Sequence, residues 1–153
     1  MCLLCKKDTH FVRTTEDKVY YKVLQNHPYL GGFMTPYMYS RAVLWTRYLL
    51  PESYPGYGVV DPNCYAEVSP YLDGDFTVHS GVFHLFKNLH DAKQLRDDLQ
   101  TETDRFGKRN EKYYVAKAVV PTGTLIIEGT FNVDSYSAPA VGVKCVKYTE
   151  IVE

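Results

Sequence analysis

Hydrophobic and polar positions change their period cleanly at one place in this chain, between Phe76 and Leu99. Val82 and His84 fall on one side of an alternating run and Phe83 and Leu85 on the other, with a break at Ser80-Gly81. Past Asn88 the period becomes helical: Leu89, Ala92, Leu95 and Leu99 make a stripe, with Asp91, Lys93, Arg96, Asp97 and Asp98 off it. Asn88 suits an N-cap, because its side-chain oxygen can accept from the first-turn amides, and Asp91 sits where the positive helix end favours an anion. The pattern predicts a strand broken once, then a surface helix over residues 88–101 lying on a sheet.

The rest of the pattern is read outward from there. Val19–Leu24 is strand-like and is ended by Asn26-His27-Pro28 and the Gly31-Gly32 pair. Residues 35–50 admit two readings. Thr35 and Pro36 suit the start of a helix stopped by Pro51, while Tyr37, Tyr39, Val43, Trp45 and Tyr48 equally suit a strand. Pro51 to Gly74 reads as a long loop with a short strand at Tyr65–Val68. Tyr113–Val120 is a strand, Pro121-Thr122-Gly123 a turn, Leu125–Gly129 a strand and Asn132–Pro139 a loop. Val141–Val152 reads as one last strand with Val141, Val143 and Cys145 on one face. The expectation is a single α+β domain, residues 1–153, with a mainly antiparallel or mixed sheet and one principal amphipathic helix. Residues 1–17 form a candidate N-terminal arm.

Composition narrows the setting. At 153 residues the chain can bury a core without staples, and its 45% apolar and 23% charged content is that of a soluble globular protein. A net charge of −1 argues against nucleic acid or an anionic membrane as partner. No apolar run reaches spanning length, and Met1–Asp8 lacks the apolar core of a signal peptide, so a cytoplasmic protein is expected. Four unevenly spaced cysteines fit reduced thiols or metal ligands better than a disulfide framework. Ten of the 14 tyrosines and six of the eight prolines lie between Tyr20 and Tyr71, which makes the first half the aromatic, irregular one.

Three stretches carry a resemblance: Tyr21-Lys22-Val23-Leu24, then Gly81-Val82-Phe83-His84 before a helix with Asp91-Ala92, then a strand ending Val120-Pro121-Thr122-Gly123-Thr124. Together, over about half the chain, they resemble small uncharacterised domains of gut-type bacteria and their phages. Those carry "YKV", "GFH" with a "DA" helix, and "IPKGT". Here Val82 is inserted in the second motif and Thr122 replaces the lysine of the third. The resemblance implies a compact α+β domain and assigns no catalytic residue.

Candidate chemistry is sparse. Cys2-x-x-Cys5 has the spacing that lets two thiolates reach one zinc, though a closed site needs two further ligands. His79 and His84 flank Gly81, where a backbone open to close approach beside two imidazoles would suit a nucleotide-like ligand. An early histidine, an aromatic middle and a late strand carboxylate, Glu128, resemble the layout of an ADP-ribosyltransferase. Glycine-rich phosphate loops, HExxH and GxSxG are absent from the sequence. The clustered tyrosines, Tyr48, Tyr54, Tyr57 and Tyr65 among them, fit a contact surface, because tyrosine offers large area at low entropy cost. The expectation is a small binding or modulating protein with a protein partner, with no cofactor unless zinc binds. A small enzyme acting on a nucleotide-like ligand is the alternative.

Overall fold

The computed structural model describes residues 3–26, 33–34, 56–59, 66–107, 111–133 and 136–152. Twelve strands and one α-helix are found among them. In chain order these are β1 (Leu3–Cys5), β2 (Val12–Arg13), β3 (Lys18–Asn26), β4 (Phe33–Met34), β5 (Gly56–Val59) and β6 (Glu67–Pro70). There follow β7 (Phe76–Ser80), β8 (Phe83–Phe86), α1 (Leu89–Arg105), β9 (Tyr113–Val120), β10 (Leu125–Val133), β11 (Tyr136–Val143) and β12 (Cys145–Ile151). All the described pairings are antiparallel, and the sheet runs β5-β12-β9-β3-β8-β11-β10-β1-β7-β6, with β2 added to β10 and β4 to β3. The class is α+β in the broad sense expected.

Two connections force this sheet to curl. Lys144 alone joins β11 to β12, although β8, β3 and β9 lie between them in sheet order. In a flat sheet those strands would stand about 19 Å apart, and one residue spans about 3.5 Å. The sheet therefore bends until β11 and β12 meet at a corner, where the Lys144 amide donates to the Leu125 carbonyl at 3.0 Å. Inside this bend Leu85, Ile126, Val141 and Val143 pack with Tyr20, Leu24, Ala116, Ala118, Val146 and Tyr148. The two-residue link Gly81-Val82 makes the same demand on β7 and β8, which β1, β10 and β11 separate. Here the enclosed face is the other one, carrying Leu3, Cys5, Val78, Phe86, Ile127 and Phe131. Alternation explains the reversal: Leu85 and Ile126 face one core, their neighbours Phe86 and Ile127 the other. In section the sheet is an S, two back-to-back curls sharing β8, β11 and β10.

The predicted stripe on α1 is the buried one. Ala92 and Leu95 are buried with Val23 and Val115, and Leu89 and Leu99 pack at the margins. The helix runs to Arg105 rather than residue 101, because Thr103 turns inward and its hydroxyl donates to the Tyr113 hydroxyl at 3.3 Å. Asn88 is the N-cap but does not cap through its oxygen; its amide donates to the Asp91 carboxylate at 3.0 Å.

The later strands depart further from the sequence expectation. Asn132–Pro139 is not a loop, since β10 continues to Val133 and β11 begins at Tyr136. Pro139 is tolerated there because its carbonyl accepts from the Lys87 amide at 3.1 Å, just past Phe86, where the pairing of β8 ends. A strand residue points its N–H and C=O to the same neighbour, so the missing N–H faces the place where the ladder runs out. The single strand Val141–Val152 is two strands broken at Lys144, and after the break Val146 and Tyr148, not Cys145, are the buried positions. The long loop Pro51–Gly74 contains β5, paired with β12, and its short strand is Glu67–Pro70. The ambiguous stretch 35–50 and the Gly31-Gly32 pair lie outside the described residues. Part of the candidate N-terminal arm is β1, an interior strand between β10 and β7.

Candidate functional site

The second curl builds the β7–β8 junction. Gly81 supplies its sharp reversal with φ at +78°, and its carbonyl accepts from the Lys144 ammonium at 2.7 Å. His84 projects to the enclosed face, edge-on to Phe131 with ring centroids 5.6 Å apart. Its Nε2 lies 3.1 Å from the Val78 carbonyl oxygen. A carbonyl only accepts, so Nε2 carries the hydrogen and the ring ties β8 to β7. Burial first, and the nearby Lys22 ammonium second, push the imidazole down to about 3, against the opposing pull of the Val78 bond. His84 is therefore a neutral donor at physiological pH. His79 leaves β7 on the side opposite to Val78, is exposed, and has its Nε2 2.7 Å from Ser69 Oγ and 3.1 Å from Thr77 Oγ1. The two imidazoles are close in sequence but do not converge on a common space.

Glu128 joins neither. It is exposed, paired with Lys87 at 2.8 Å, and registered opposite Val141, whose side chain belongs to the face His84 does not occupy. His84 and Glu128 are thus on opposite faces of the sheet.

Two polar groups that the sequence reading passed over sit with the first core. Lys22, between the inward residues Tyr20 and Leu24, is half-buried, and its ammonium donates to the His84 carbonyl at 2.9 Å. Desolvation brings it down to about 8. The signal was a lone charge at an inward position of an alternating strand. Tyr148 buries its hydroxyl with no hydrogen-bond partner among the described residues, and burial raises the phenol well above its ordinary value.

A surface of different character lies at the β6 edge. Val68, Tyr71 and Leu72 are 57%, 51% and 71% exposed, a run of large apolar groups where the sheet ends. The turn that follows is held firmly. Asp73 and Gly74 both take left-handed backbone angles, with φ of 59° and 80°. The Tyr71 amide donates to the Asp75 carbonyl at 2.8 Å, and the Asp75 carboxylate accepts from the Lys7 amide at 3.1 Å and the Lys6 ammonium at 3.4 Å.

Of the other candidates, Tyr48, Tyr54, Tyr65 and Cys2 lie outside the described residues. Tyr57 belongs to β5 and is registered with Lys147. Cys5 is fully buried in the second core, where desolvation lifts its thiol to about 11, so metal binding there would first have to remove a tightly held proton. Among the described residues no group of three or more His, Cys, Asp or Glu is placed to hold a metal ion, and no helix is long and apolar enough to cross a membrane. Comparison of the chain with protein-family models, with curated proteins and with solved structures finds no match.

Proposed function

We propose that the protein acts by binding a protein partner, and that Val68 of β6 with Tyr71 and Leu72 of the turn after it belong to the contact surface. The observation that carries this reading is the pairing of exposure with rigidity: Tyr71 and Leu72 stand in water on a turn fixed by the Asp75 bonds to Lys6, Lys7 and Tyr71, with Val68 exposed just before it on β6. Left-handed geometry at a non-glycine residue, Asp73, costs about 1–3 kcal/mol and is kept only where the surroundings hold it. A pre-ordered apolar turn loses little entropy on association, and tyrosine is among the residues that anchor interfaces. Pro70 and the register shift at Glu67/Val68 blunt the edge of β6, which favours docking by side chains over addition of a strand. The nucleotide-enzyme reading has less support, because His84 is neutral and already bonded.

A photo-crosslinking residue at position 72 tests this, with one at exposed Gln94 on α1 as control. The expected result is a discrete adduct from position 72 alone, lost in Val68→Ser/Tyr71→Ser at unchanged melting temperature. An adduct of twice the chain's mass would make the partner a second copy. Adducts from neither position, or the same adducts from both, would overturn the reading.

A further inference from the structure

The last two strands can share a core only because they are broken apart. Val141, Val143, Val146 and Tyr148 all face the first core. Along one straight strand, successive side chains point to opposite sides, so Val141 and Val143 could not share a core with Val146 and Tyr148. The corner at Lys144 turns β12 over and brings all four together. Nothing local asks for that corner. Lysine does not favour turns, and among the described residues Asp73 is the one non-glycine with a positive φ, so Lys144 reaches extended geometry without leaving the left-handed region. The residues on either side are strand formers whose sequence reads as one unbroken strand, Val141–Val152. What holds the corner is tertiary: the Lys144 amide donates to the Leu125 carbonyl at 3.0 Å, and its ammonium to the Gly81 carbonyl at 2.7 Å.

A one-residue corner between two segments that favour running on has a second solution. We propose that β12 exchanges between two copies of this chain, with Lys144 straightening so that β11 and β12 become one strand. Val141 and Val143 then stay in their own chain's first core. Val146 and Tyr148, on the opposite side of the straight strand, enter the first core of the other copy. Each β12 pairs there with the other copy's β9 and β5 in the registers found within one chain, Lys147 with Val119 and Val146 with Gly58. Every contact of β12 is remade apart from those at the corner itself, so the exchange sets the joining of two chains against release of the corner. This contact is separate from the Val68–Leu72 surface, because β6 and β12 lie toward opposite ends of the sheet order.

Two ion pairs already in the fold supply the test. Lys117 of β9 and Glu150 of β12 lie 3.5 Å apart, whereas Lys87 and Glu128, neither of them on β12, lie 2.8 Å apart. Unlabelled and isotope-labelled full chains are unfolded in urea, mixed, and refolded together at about 1 mM, the order of effective concentration that a short link supplies. The dimer is isolated by size exclusion, and a zero-length carbodiimide joins paired lysines and carboxylates. Peptide mass spectrometry should find mixed-isotope product at Lys117–Glu150 and single-isotope product alone at Lys87–Glu128. A few glycines inserted after Lys144 should lower the dimer yield several-fold, because a longer link makes the corner without strain. Lys144→Val, which favours extended backbone and releases the Gly81 carbonyl, should raise it. Absence of dimer at this concentration, or a dimer whose Lys117–Glu150 product is never mixed, would overturn the proposal whether or not the variants fold.

Discussion

His84 should make this fold acid-sensitive, and the size of the effect follows from its surroundings. In the unfolded chain the imidazole takes up a proton near 6.5; in the folded chain it resists until about 3, because the ring is buried beside the Lys22 ammonium, and the Val78 bond offsets only part of this. Between those values the unfolded state binds the extra proton, so stability falls as pH falls and is nearly flat above about 7. At about 1.36 kcal/mol per unit, the loss is about 3 kcal/mol by pH 4 and approaches 5 kcal/mol by pH 3. Glu16 and Asp17, whose carboxyls are held below their usual range by bonds to Lys18 and Thr122, add to acid sensitivity in the same direction. His84→Gln separates the contributions, since glutamine can still donate to the Val78 carbonyl but does not titrate. It loses the edge contact with Phe131, costing about 1 kcal/mol near neutrality. Urea melts of both proteins across this range should therefore cross, wild type being the more stable at pH 7 and the variant at pH 4. Parallel decline of the two would show that His84 is not the buried neutral group described.

Three further outcomes are expected. Leu95→Ala, in the buried stripe of α1, should cost about 2–4 kcal/mol in chemical denaturation, while exposed Gln94→Ala stays within about 0.5 kcal/mol of wild type. Gly129→Ala should cost about 3 kcal/mol or more, because its Cβ would lie 2.4 Å from the Leu4 carbonyl oxygen, a backbone atom that cannot swing aside. Cys5 should resist thiol reagents in native protein at about pH 8 and react on unfolding, as a buried thiol held at about 11 requires; fast native labelling would contradict its burial.

The sequence made legible those elements whose burial is one-sided and periodic. The stripe of α1, the bounds of β9 and the opposed facing of Val82/His84 against Phe83/Leu85 follow from spacing alone. What stayed hidden depended on distant neighbours. Pro139 signals a loop unless Lys87 is known to bond its carbonyl, and the break at Lys144 is invisible until β11 and β12 are assigned to different curls. His79 and His84, five residues apart, read as one site because sequence cannot say that their strands are divided by three others. Lys22 carried a signal, a charge at an inward position, but its carbonyl partner lies 62 residues on. Exposure at Val68 and Leu72 left no trace, since apolar residues in a loop-rich stretch look the same buried or bare.

The interior placement of β1 has a consequence for biosynthesis. Leu3 leaves the ribosome long before one of its strand partners, Phe131 on β10. Until that late segment emerges, one edge of the β1–β7 pair has no companion, and the apolar side chains of Leu3 and Val78 have no second wall. The closing strand β12 arrives later still to cover β9. Such long-range pairing slows folding and leaves bare strand edges during translation. Chains stalled before β10 should therefore be those most dependent on chaperones.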